Sequence, residues 1–76
     1  MGRIMVAEEK MVGTVESFDV AKGYGYIELA GLQQPVFVHY QSIVDDRYRV
    51  LKAGEMVEFL LDDAPEGPRA VEVKKL

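Results

Sequence analysis

Two short stretches, Lys22-Gly23-Tyr24-Gly25-Tyr26-Ile27 and Val36-Phe37-Val38-His39-Tyr40, decide the fold. In an extended chain successive side chains point to opposite faces, so Tyr24 and Tyr26 share one face while Gly25 and Ile27 share the other. In the second stretch Val36 and Val38 fall on the face of Ile27, and pairing of the two segments brings Phe37 and His39 alongside the tyrosines. A half-buried strand ordinarily gives its aromatic and aliphatic residues to the same buried face. Here the aliphatic residues claim one face and the rings are left for the other. The two stretches therefore read as adjacent β-strands with a packed side and a ring-bearing side.

On either side of this pair, segments rich in β-branched and aromatic residues alternate with Gly, Pro and Asp clusters, and no stretch keeps a helical period. A first strand is expected over about Lys10 to Phe18, with Val15 inward. The turn Asp19-Val20-Ala21-Lys22-Gly23 leads into a second strand, Gly23 to Leu29. The segment Gly31 to Pro35 turns the chain into a third, Val36 to His39. Tyr40 to Ala53 loses alternation and carries Asp45, Asp46, Arg47 and Arg49, which predicts a long exposed loop opening with a helical turn at Gln41-Ser42-Ile43. A fourth strand is expected from Glu55 to Leu61, with Val57, Phe59 and Leu61 on one face. A flexible loop from Asp62 to Pro68 and a last strand from Arg69 to about Lys75 complete the chain. Closing short strands removes exposed edges, so the predicted fold is all-β, a five-stranded antiparallel OB-type barrel over residues 10–76. Residues 1–9 are expected to be a flexible N-terminal extension.

A chain of 76 residues forms one small domain. With no Cys there is no disulfide, thiolate metal site or cysteine nucleophile. Nothing approaches the roughly 18 consecutive apolar residues of a membrane span, and Ile4-Met5-Val6-Ala7 is too short for a signal-peptide core. The expectation is a soluble, cytoplasmic protein. The net charge of −4 argues against a grip on nucleic acid by phosphate neutralisation.

The ring face is what single-strand binding requires. Each unpaired base offers a π-face, and stacking on a side chain is worth roughly 1–3 kcal/mol per base. An exposed ring cluster without such a use is a solubility liability. His39 is the only His, and no carboxylate pair is placed to join it, so no metal or general-base role follows. Gly23 and Gly25 lack the third Gly and following helix of a nucleotide-binding loop. No nucleophile–base pair or cofactor loop can be assembled, so an enzyme, a cofactor and a small-molecule substrate are not expected.

The stretch Lys22 to Ile27 resembles the first ribonucleoprotein motif of the bacterial cold-shock proteins, and Val36 to Tyr40 resembles the second. The likeness extends from about Lys10 to Leu76 and includes Gly67-Pro68 before the last strand. It implies an RNA chaperone or transcription antiterminator that binds pyrimidine-rich single-stranded RNA or DNA; the protein is expected to be a monomer. Carried over by position, the rings are Phe18, Tyr24, Tyr26, Phe37, His39 and Tyr40, with Tyr48 reaching in from the long loop and Lys22 near the strand's backbone. Of the seven Phe and Tyr residues, only Phe59 falls outside this set. Where the family usually has Lys-Trp-Phe-Asn, this chain has Glu16-Ser17-Phe18-Asp19, which removes a cation and the largest stacking ring. Glu66 also stands where a basic residue is common.

Lys22, Arg49 and Arg69 complete the expected binding set as a local cationic rim, with Arg47 nearby, since steering depends on where charge lies rather than on its sum. The competing reading is an acidic domain of the same fold that uses its aromatic face to dock another protein.

Overall fold

The computed structural model describes residues 9–44 and 49–76. Alternation is realised as five strands: β1 (Met11–Asp19), β2 (Tyr24–Glu28), β3 (Val36–His39), β4 (Met56–Ala64) and β5 (Gly67–Lys75). A single 3-10 turn, η1 (Tyr40–Ser42), follows β3. The sheet closes on itself in the order β1-β2-β3-β5-β4, and closure satisfies the edges that an open five-stranded sheet would expose.

Most of the inward residues are those the alternation predicts, with Ala70 as an addition. Val15, Ile27, Val36, Val38, Val57, Phe59, Ala70 and Val73 are buried, and Phe59 is the largest side chain at the centre. Each such side chain removed from water contributes roughly 1.5–3 kcal/mol, and with no Cys in the chain this core carries the stability.

Three features differ from the sequence-based expectation. The barrel is not wholly antiparallel: β3 runs parallel to β5, with Phe37 level with Arg69, and the same direction continues past η1 where Ile43 bridges Val73. The segment after β3 must follow β5 for the barrel to close, and no local pattern encodes that. The segment Asp62 to Pro68 is not a flexible loop. The β4/β5 ladder runs through Asp62↔Arg69, Asp63↔Pro68 and Ala64↔Gly67, leaving only Pro65 and Glu66 as the turn. Pro at the first corner and Gly after the second are what a tight turn favours. Between η1 and β4, where an exposed loop is expected, Ile43 and Leu51 enter the core. Residues 1–8, expected as a flexible extension, and residues 45–48, within the expected long loop, lie outside the described residues.

Two irregularities set the curvature. In β1 the partner of Val15 is Ile27 but that of Ser17 is Tyr26, so Glu16 is an extra residue. In β5 the pairs Glu58↔Lys74 and Leu60↔Val71 enclose another, beside which Glu72 has φ +52°. Such bulges bend a strand and increase its twist, which a small barrel requires.

Candidate nucleic-acid interface

The rings come together because β2 and β3 pair in the register that their alternation implies: Tyr24 faces His39 and Tyr26 faces Phe37. Tyr24 and Phe37 are diagonal neighbours with centroids 5.7 Å apart and planes at 33°. Tyr26 meets Phe37 at 5.9 Å and 69°, and Tyr24 at 6.3 Å and 84°, both edge to face. These are the separations at which aromatic pairs attract. Tyr26 is 36% exposed, whereas Ile27, the next residue, is fully buried. The rings thus form the outer face of a wall whose inner face is the core.

The register extends this face into one row across all five strands. Ser17 is level with Tyr26, Tyr26 with Phe37, Phe37 with Arg69, and Arg69 with Asp62. Depressions flank the rings on both sides. One lies between Tyr26, Phe37, Gln34, Pro35, Pro68 and Arg69, and another between Ser17, Phe18, Tyr24 and Tyr26.

His39 and Tyr40 lie at the far end of the face, with rings 4.6 Å apart and tilted by 32°. His39 caps η1: its Nδ1 accepts the Gln41 N–H at 3.2 Å, so the neutral ring carries its proton on Nε2. Tyr40 is 40% exposed and packs on Gly23, whose φ is +82° and where a Cβ would come within 2.7 Å of the Tyr40 ring. The Tyr40 N–H also donates to the Gly23 carbonyl at 2.8 Å. Gly23 therefore fixes the turn and seats a ring at once. Gly25, within β2, serves a different end: it lets β1 approach closely, since a Cβ there would run into the Ser17 carbonyl and come within 2.6 Å of the Phe18 Cα.

Phe18 is half-buried and packs on the core, leaving one edge to the depression beside Tyr24. Lys22 is exposed in the β1–β2 turn, which Asp19 builds by accepting the Lys22 N–H on Oδ1 at 3.0 Å and the Gly23 N–H on its carbonyl at 2.7 Å. Arg49 is exposed and belongs to no strand, so the register does not place it in the row from Ser17 to Asp62. Arg69 is in the row, but its Nη2 is 2.9 Å from Asp62 Oδ2. Tyr48 lies outside the described residues. Gln34, Pro35 and Pro68 border the rings without having been singled out from the sequence. Their placement follows from β3 lying beside β5, and only Pro68, next to Arg69, carried a hint.

No group of three or more His, Cys, Asp or Glu is placed to hold a metal ion, and no helix is long and apolar enough to cross a membrane, among the described residues.

Comparison with known proteins agrees with this geometry. The family model described as 'Cold-shock' DNA-binding domain matches residues 11–76. The cold shock-like protein CspB of Yersinia pestis is 42% identical over 67 residues, 88% of this chain and 96% of its own length. The cold shock protein CspA of Staphylococcus aureus is 44% identical over 64 residues, 84% and 96% of the two chains. The solved structure of Drosophila Unr CSD456 shares the fold with a TM-score of 0.76 at 23% identity, covering 91% of this chain and 27% of that one. A matching domain model from the first strand to the last residue, and relatives of this identity along almost their whole length, mean that the chain belongs to the cold-shock domain family.

Proposed function

We propose that this protein holds unpaired, pyrimidine-rich RNA or DNA by stacking bases on Tyr24, Tyr26, Phe37 and His39, with Phe18 and Tyr40 extending the platform at its ends. Lys22, Arg49 and Arg69 supply what cationic contact there is, and Tyr48 belongs to the same expected binding set. The action is that of an RNA chaperone or antiterminator working as a monomer: holding a single strand keeps it from pairing.

The observation that carries the reading is the orientation of the central rings. Tyr24 and Phe37 are tilted by 33° to each other, whereas Tyr26 stands at 69° to Phe37 and 84° to Tyr24. Bases stacked on Tyr26 and on Phe37 therefore face different directions and cannot remain stacked on each other. Such a platform accepts a splayed single strand and rejects a duplex, whose bases are both paired and stacked. With a net charge of −4, stacking supplies most of the affinity.

The test is an amide chemical-shift titration with heptathymidylate. Shifts concentrated at residues 17–26 and 37–41 bear the reading out. Shifts confined to the β1/β4 side of the barrel, or none at low salt, contradict it.

A further inference from the structure

Arg69 is the cation that the register brings level with the rings, directly beside Phe37, and its guanidinium is held across the β4/β5 ladder by Asp62 at 2.9 Å. The two partners are unequally accessible: the side chain of Arg69 is 50% exposed and that of Asp62 17%. Asp62 is thus fixed in the wall of the barrel while the cation it holds faces the solvent. Glu66 lines the same depression as Arg69, Tyr26 and Phe37, so the charge beside the rings is already balanced or negative before any ligand arrives. A guanidinium offers the same fork of N–H donors to a carboxylate as to a phosphate. Asp62 and a strand's phosphate therefore compete for the same donors.

We infer that Asp62 sets how this site treats phosphate. By occupying Arg69 it leaves the ring face open to bases while the backbone of the bound strand stays largely unneutralised. A phosphate reaches Arg69 only by displacing the carboxylate. The proposal rests on the reading of the ring face as a base-stacking site and adds to it the residue that keeps binding weakly salt-dependent and readily reversible.

The test is a fluorescence titration of labelled heptathymidylate from low to physiological ionic strength, with the wild type, Asp62→Asn, Asp63→Asn, Arg69→Gln and the double variant Asp62→Asn/Arg69→Gln. Asp63 is the adjacent, exposed carboxylate, so its replacement removes the same charge without releasing Arg69. Asp62→Asn is expected to tighten binding about fivefold at low salt and to steepen the log K against log salt slope by about 0.7, the contribution of one further phosphate on a single strand. The gain disappears in the double variant, and Asp63→Asn gives less than half of it. An unchanged slope in Asp62→Asn, an equal effect of Asp63→Asn, or a gain that persists without Arg69 overturns the proposal. Failure of the underlying reading has a different signature: wild-type binding that Tyr26→Ala and Phe37→Ala leave untouched removes the ring platform, and the role of Asp62 with it.

Discussion

Tyr26 and Phe37 stand directly opposite each other on β2 and β3, edge to face, with ring centroids 5.9 Å apart. The arrangement holds each ring in place through its neighbour and leaves π-faces free on the outer side of the sheet. Cross-strand aromatic pairs of this kind contribute roughly 0.2–1 kcal/mol to a sheet, so the platform adds a little to the barrel's stability and is in position before a ligand arrives.

Salt dependence is expected to be shallow. Lys22 and Arg49 are exposed, while Arg69 is held by Asp62, so about two phosphates at most find a free cation among the expected binding residues. At about 0.7 per phosphate on a single strand, log K against log salt falls with a slope of roughly −1.5. Titrations at several salt concentrations measure it; a slope of about −4 or steeper would show a basic groove rather than a ring platform.

Gly25→Ala should destabilise the barrel by about 1–3 kcal/mol. Its Cβ meets backbone, the Ser17 carbonyl and the Phe18 Cα, and neither can move without displacing β1. Urea unfolding reads this as a lower midpoint at an unchanged slope. Stability equal to that of the wild type would mean that β1 and β2 do not approach as closely as described.

Glu72→Asn should stabilise the protein by about 0.5–1 kcal/mol, because Glu72 has φ +52° and Asn tolerates the left-handed region better than Glu. Glu72→Gln removes the same charge without the conformational benefit and is the control. Equal unfolding midpoints for the two variants would leave the gain to charge alone.

The sequence carried the ring face well and its surroundings poorly, for physical reasons visible in particular residues. Alternation over Tyr24–Ile27 and Val36–His39 is local, and it gave both the register and the two faces, since a one-residue slip would have buried the rings. The parallel contact of Phe37 with Arg69 joins residues far apart in sequence and leaves no periodic trace. Asp62, Asp63, Pro65 and Gly67 read as a loop by composition, yet a two-residue turn needs just such residues and the ladder absorbs the rest. Arg69 was legible as a cation, but its partner was not: Asp62 became visible only once the hairpin was known to extend to the turn. Ile43 and Leu51, lying in a stretch without alternation, were missed as core residues because they enter the barrel from a connecting segment.

The central claim is that stacking on the rings holds the strand, and the affinity of the Tyr26→Ala/Phe37→Ala variant for labelled heptathymidylate tests it most directly. At roughly 1–3 kcal/mol per base–ring contact, losing both rings should weaken binding by about 30-fold or more while circular dichroism shows the barrel intact. A folded variant that binds as tightly as the wild type would contradict the account.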